Sequence, residues 1–335
     1  MIIRVGSGWI WWLYRIKSHV KYNSSFETLD GMDTKMDELS RAFYEMRFDV
    51  AFLKKKGKEF QDFFSGIMER CHPGDFSRVK PWGQHGDRKN DGYQKSTRTI
   101  YQVYAPNELS ALETNNKIDE DFNGALLHWE QYFNTWVFVH NSGDGLGPET
   151  LKKLLELGLN HPQIKIETWG YEELRQKVFS LKESDIIPLF GSVPTKREML
   201  NVRMDDLQIV ISRISQQVGP LEQVIRPVPP DKLDANALSD NVEILLTAGM
   251  RKSNLVAVFF EKYHDPLLGE KTAEAFRTKY IELRETKISP DEIFYELQSF
   301  TGSQTIDGPK HQAAVLAIIA YFFEKCDIFE EKKRL

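Results

Sequence analysis

The sequence predicts an α/β domain followed by an all-α domain, and three observations carry that reading. Aromatic and β-branched runs bounded by turn residues, Thr99–Tyr104 and Thr135–His140 above all, alternate with helix-period segments as far as residue 181. Past Pro188 no convincing strand pattern follows, and the apolar residues recur at helical spacing. Residues 313–320 are apolar almost all round, as the central helix of a bundle would be. The expected organisation is an N-terminal extension over 1–31, an α/β domain over 32–190 and a helical domain over 195–331.

Composition narrows the class. The chain has 335 residues, enough for two domains, and 41% hydrophobic with 28% charged residues reads as globular. A net charge of −5 excludes a globally basic nucleic-acid binder, so any basic surface is local. Two cysteines, Cys71 and Cys326, supply neither a disulfide framework nor a zinc set, which fits a reducing cytoplasm. The tryptophan-rich run at 9–14 is far shorter than the ~20 residues of a membrane span, so no membrane association is expected. Residues 1–31 read as a disordered extension, with the folded chain starting near Met32 or Met36.

The elements follow in order. Met36, Leu39, Phe43, Met46, Val50 and Leu53 alternate spacings of three and four, one face of a long helix. That face packs on its own domain more readily than on a coiled-coil partner, because it covers too few heptads. Phe60, Phe63, Phe64, Ile67 and Met68 mark a second helix, with Glu59 beside its buried face. Val79 begins a first strand, interrupted at 81–83, and a glycine-flanked acidic turn leads through 94–98 into the strand Thr99–Tyr104. Helix over 108–134, strand Thr135–His140, helix through Leu159, strand over 164–168 and helix over 171–181 complete an α-α-β-β-β-α-β-α-β-α order. Helices over 200–218, 240–263, 270–286, 291–300 and 310–323 follow, with a proline-rich connector at 220–230.

Metal-assisted phosphodiester cleavage needs a hard cation on oxygen ligands and a positive group near the attacked phosphate. Asp91 ends the acidic turn at a strand edge, Gln102 lies on the next strand as a neutral oxygen donor, and Glu59 is placed to reach the same site. From residue 78 to residue 98 six basic residues, Arg78, Lys80, Arg88, Lys89, Lys95 and Arg98, face two aspartates, an excess of +4 suited to a phosphate backbone. The loop 143–147 lacks the lysine and the spacing of phosphate-binding loops. His140 and Cys71-His72 read as structural.

The residues Glu59, Gly86-Asp87-Arg88-Lys89-Asn90-Asp91-Gly92 and Gln102-Val103-Tyr104 resemble the PD-(D/E)XK restriction-endonuclease superfamily, in particular its Mrr-like branch, over residues 38–181. The resemblance implies a restriction-endonuclease-like fold, Mg²⁺ or Mn²⁺ as cofactor, and Asp91 and Gln102 as metal ligands with Glu59 assisting. One position departs. Tyr104 stands where that pattern has its catalytic lysine, and a neutral phenol cannot replace an ammonium. Lys80, Lys89 or Lys95 would then have to take that role.

The helical half has its own resemblance. Over about residues 195–331, the segments 241–246, 252–256, 259–263 and 276–280 and the terminal Tyr321-Phe322-Phe323-Glu324-Lys325-Cys326-Asp327-Ile328-Phe329-Glu330 resemble the C-terminal domain of effectors in ABC-three-component, Lamassu-type antiphage systems. That resemblance implies a cytoplasmic effector in complex with an SMC-like ATPase and a small middle subunit, acting on DNA, and admits a homo-oligomer. The function expected is a metal-dependent DNA endonuclease activated within that complex. Its rivals are a catalytically degenerate nucleic-acid-binding module and a scaffold subunit of the same complex.

Overall fold

The computed structural model describes residues 36–79, 88–215, 236–302, 308–325 and 328–329. The extension at 1–31, Lys80, residues 81–83, Gly86, Asp87, the connector at 220–230, Cys326, Asp327 and Glu330 lie outside them.

Two helices open the described chain. α1 (Glu38–Lys54) starts where the Asp37 carboxylate accepts the Leu39 and Ser40 amides. α2 (Gly57–Cys71) begins at Gly57, whose φ of 49° allows an immediate change of direction. β1 (Phe76–Arg78), β2 (Gly92–Gln94) and β3 (Thr99–Tyr104) then form an antiparallel meander. α3 (Ala111–Trp129) crosses to β4 (Thr135–His140), and α4 (Pro148–Asn160) crosses to β5 (Lys165–Trp169). Helical crossovers make neighbouring strands parallel, so β3, β4 and β5 run together. The order is β1-β2-β3-β4-β5, with β2 opposed to the rest. α5 (Tyr171–Phe179) closes this part in the element order the sequence predicts.

Side-chain alternation gives the sheet two faces. Tyr101, Val137 and Val139 join a large core with α1, α2 and α5. Ile100, Trp136 and Phe138 point the other way, into a smaller core with Ile118, Phe122 and Ala125 of α3 and Leu154 and Leu157 of α4. The result is a helix–sheet–helix sandwich.

α6 (Glu183–Phe190), which the sequence reading does not contain, carries Pro188 in its last turn. Beyond it every described element is helical: α7 (Lys196–Leu200), α8 (Met204–Ser215), α9 (Asp240–Met250), α10 (Ser253–Lys262), α11 (Leu268–Glu285), α12 (Pro290–Phe300) and α13 (Pro309–Glu324). The helix expected over 240–263 is two helices, because Lys252 leaves helical geometry and its ammonium bonds the Leu200 carbonyl at 2.7 Å. α13 is buried from Gln312 to Ala320, as its composition predicts. α9 crosses it closely at Gly249, where an added Cβ would stand 2.6 Å from both Ala320 Cβ and the Leu316 carbonyl oxygen.

α1 serves both halves. It packs on α9 and α12, and Arg47 donates to the Phe190 and Ser192 carbonyls and to Gln312 Oε1. The large core therefore runs from Phe43 of α1 to Phe323 of α13. The change near residue 190 is one of secondary structure, not a gap in packing. Among the described residues no helix is long and apolar enough to cross a membrane.

Candidate functional site

Asp91 sits where the β2–β3 ladder breaks. The ladder pairs Gly92 with Tyr101, and its next step would pair Asp91 with Gln102. Instead the Asp91 amide donates to the Tyr101 carbonyl (3.0 Å), and the Asp91 carboxylate accepts the Val103 amide through Oδ2 (2.7 Å). A side chain thus stands in for a strand carbonyl, the local disruption of a bulge. The other oxygen, Oδ1, accepts from the Gln61 amide of α2. Asp91 is 3% exposed, held between α2 and the strand.

Gln102 projects to the other face. It alternates with Ile100 and Tyr104 and lies beside Phe138 in register, all toward α3. Its Oε1 is buried with no hydrogen-bond partner. Tyr104 is half-buried there, and burial, with Glu113 and Asp121 of α3, raises its hydroxyl above the ordinary range. It is neutral at physiological pH and supplies no ammonium.

α3 brings a charged pair onto this face. Asp121 is fully buried between Ile118 and Phe122, and Lys117, one turn earlier, binds its Oδ1 at 2.8 Å. Lys89 approaches the same oxygen at 3.2 Å and also pairs with Glu120, its stem lying against Gly124. Desolvation pulls the Lys89 ammonium down, but its bonds to Glu120 and Asp121 hold it above the usual lysine range. Burial pushes the Asp121 carboxyl up, against the pull of Lys117 and Lys89. Asp121 Oδ2 has no partner, and neither amide atom of the fully buried Asn90 has one. Arg88 and Lys89 both adopt left-handed backbone, φ 53° and 61°, a costly conformation for such residues.

The remaining predicted residues are dispersed. Glu59 is exposed and lines a cavity of ≈ 650 Å³ with Arg47, Lys54, Phe190 and Tyr295, to which neither Asp91 nor Gln102 contributes. Residues two apart on a helix do not share a face, so Gln61 rather than Glu59 meets Asp91. Arg78 is bound to Asp62 and Glu69. Lys95 and Arg98 donate to carbonyls of Gly74, Gln131 and Tyr132 around the β2–β3 turn, roughly 13 Å along the strand from Asp91. Arg88 accepts the Trp129 indole through its carbonyl. Of the described basic residues, Arg78 and Lys89 are held by carboxylates, and Lys95 and Arg98 by backbone carbonyls. His140, at the end of β4, is a buried neutral ring: Nδ1 accepts the Ser142 amide, and burial lowers its pKa to about 4.

Could these residues hold Mg²⁺? Among the described residues no group of three or more histidine, cysteine or carboxylate side chains is placed to do so. A hard cation here needs amide oxygens as well as carboxylate. Asp91 offers a carboxylate, and the unpartnered oxygens of Gln102, Asn90 and Asp121 belong to that chemical class.

At the far end of the molecule, Ile328 and Phe329 fold back into the large core, with the Phe329 ring 5.0 Å from Tyr280 and 5.5 Å from Phe323. These two residues of the terminal motif are thus part of the bundle's packing. Residues 205–330 match C-terminal domain 10 of the ABC-three component (ABC-3C) systems. The match supports the ABC-3C identification made from that motif, and it begins inside α8, leaving the α/β half outside it. No curated protein and no solved structure shows significant similarity to the chain.

Sequence reasoning missed Gln61, Lys117 and Asp121. Gln61 lies three residues before Phe64, whose ring meets Tyr101 at 5.4 Å, so its place on the sheet-facing side of α2 was readable. Lys117 and Asp121 form an i,i+4 pair interrupting an apolar stripe, and a charge at a stripe position is itself a signal.

Proposed function

We propose that the chain is the effector subunit of an ABC-3C antiphage defence system and that its α/β half is a restriction-endonuclease-like nuclease held in a latent state. The observation that carries this reading is the seat of Asp91, with its carboxylate on the Val103 amide inside Gln102-Val103-Tyr104. That is the strand beside which the PD-(D/E)XK resemblance places a metal-binding aspartate. The meander, the two helical crossovers and the mixed sheet order fit the same reading. The helical half fits assembly with an SMC-like ATPase and a middle subunit, given its ABC-3C match.

A bound Mg²⁺ would acidify water and offset charge developing on the phosphate. The chain's own residues have the following parts. Asp91 and Gln102 supply oxygens, the Val103 amide and Gln61 fix the Asp91 carboxylate, and Tyr104 donates a neutral hydrogen bond. The latency proposed rests on Asp91 being bonded on the α2 side while Gln102 faces α3, so that activation would have to bring the two to a common ligand. A binding module that does not cut is the second reading, favoured by Tyr104 at the lysine position.

Plasmid incubated with the assembled complex and Mg²⁺ or Mn²⁺ tests the proposal beside an Asp91→Ala control. Cleavage is expected from the unaltered complex and not from the variant. Equal cleavage by both, or none under activating conditions, removes the nuclease reading. Retention of DNA without cutting, lost at high salt, supports the binding module.

A further inference from the structure

β5 is the last strand of the sheet, and among the described residues no strand pairs on its far side. The Lys165 amide donates to the Asn134 carbonyl at 2.8 Å, toward β4. Successive residues of a strand turn their amides and carbonyls to opposite sides, so Ile166 and Thr168 present theirs to the open edge. Such an edge is a template for another strand.

α4 carries an apolar ridge beside this edge. Leu151, Leu155 and Leu159, each four residues from the next, are 45%, 62% and 81% exposed. Two contacts fix the direction in which the ridge faces. Lys153 pairs with Asp119 at 2.6 Å and marks the side of α4 toward α3. A Cβ added at Gly158 would stand 3.9 Å from Ile166 Cγ1, which marks the side toward β5. At about 3.6 residues per turn, Leu151 and Leu155 fall on the Gly158 side, away from Lys153, and Leu159 continues the row toward solvent. The leucines therefore flank the open edge of the sheet. Rows of residues four apart are the ridges that fill the grooves of a facing helix.

The charges of β5 select the occupant. Ile166 packs under α4, and by alternation Lys165 and Glu167 project from the other face, where they pair with each other. Read in reverse, the strand has Glu167 where it had Lys165. A second copy laid antiparallel about a two-fold axis at Ile166 sets Lys165 opposite Glu167 twice over. An axis at Lys165 or at Glu167 would set like charges against each other. Ile166 is also a residue whose amide and carbonyl face outward, so the same axis lets the two strands bond.

We propose that β5 and α4 form a homodimer interface, in which two sheets join edge to edge at Ile166 and two leucine ridges pack across the axis. A two-fold contact needs a surface complementary to itself, and this edge has that property in charge, hydrogen bonding and apolar relief. A lysine on an edge ordinarily blocks pairing; here the second copy brings its counter-charge. Asp91 lies beside β2 and β3, away from this edge, so the proposal is independent of the nuclease reading.

Sedimentation velocity of the full chain across the micromolar range is the test, and the unaltered protein is expected to be a dimer. Leu155→Glu, at a position 62% exposed and so harmless to folding, is expected to raise the dissociation constant about tenfold or more. Lys165→Glu, which opposes Glu167 of the second copy, is expected to raise it severalfold. The charge swap, Lys165→Glu together with Glu167→Lys, re-creates opposite pairs and is expected to restore the dimer. Glu167 also accepts the Trp169 indole, so the swap is checked by circular dichroism. Should it fail to fold, amide hydrogen exchange decides: β5 is expected to exchange more slowly in the unaltered protein than in Leu155→Glu. A monomer throughout, or a dimer undisturbed by Leu155→Glu, overturns the proposal. A dimer indifferent to Lys165→Glu, left weak by a folded charge swap, or with β5 exchanging as fast as in Leu155→Glu, is held without the paired strands and overturns it too.

Discussion

The two faces of the sheet differ in how far their buried polar side chains are satisfied. On the large-core face Tyr101 donates to Gln94 Oε1 at 2.9 Å, Gln94 donates to Asp75, and the Trp169 indole donates to Glu167. On the α3 face Gln102 Oε1, Trp136 Nε1 and Thr168 Oγ1 are buried without partners. Gln102, Phe138 and Thr168 stand side by side across three strands. One face therefore spends its polar groups on its own stability, and the other keeps hydrogen-bonding capacity in reserve. A fold that maximised stability would not leave that row unsatisfied.

The largest expected effects concern the shared core. Phe64→Ala on α2 and Phe276→Ala on α11 should each cost ~3–5 kcal/mol, because both side chains are fully buried in the same cluster. Calorimetry should show one transition lowered by either change; two transitions, each sensitive to one variant, would divide that core. Next in size is acid sensitivity. His140 is buried neutral with its pKa lowered to about 4 by desolvation, so its contribution is complete above the unfolded value of 6.5 and is lost as pH falls toward 4. The loss is on the order of 3 kcal/mol, and His140→Asn should flatten it in urea titrations taken at several pH values.

A direct comparison of the faces comes from two glutamines. Gln94→Leu should destabilise by ~1–3 kcal/mol, because it strands the Tyr101 hydroxyl. Gln102→Leu, in metal-free buffer, should be neutral or stabilise by ~1–2 kcal/mol, because no partner is lost. Equal destabilisation by both would erase the contrast. The smallest effect is expected at the β2–β3 turn. Arg98→Ala should alter stability by about 0.5 kcal/mol or less, and the salt dependence of DNA retention should stay unchanged. A fall in that slope would return the turn to the nucleic-acid surface.

Periodicity made the scaffold legible. The runs at β3 and β4, the proline in the first turn of α4 and the apolar stretch 313–320 of α13 each carry their own local signal, and the order of elements as far as α5 follows from them. α6 did not, because Pro188 in its last turn argues locally against helix. The site was legible only in part. Asp91 and Gln102 stand out as polar residues at a strand edge and within an apolar strand, but which face each side chain takes depends on the ladder break at Asp91, and no composition reveals that. Glu59 was chosen for its charge, whereas the contact to Asp91 belongs to uncharged Gln61. The basic excess over 78–98 was real as a count, but Arg78 and Lys89 are neutralised by carboxylates distant in sequence.

The position of α1 bears on how the chain acquires its structure. This helix leaves the ribosome before every other described element, yet two of its partners, α9 and α12, are about 200 residues or more downstream. Contacts of such separation form late, so the apolar face of α1 stays uncovered until most of the helical half has been synthesised. The α/β half made alone would present that face to solvent. Completion of the α/β half is thereby tied to completion of the helical half, and a chain cut short within the helical half would be aggregation-prone.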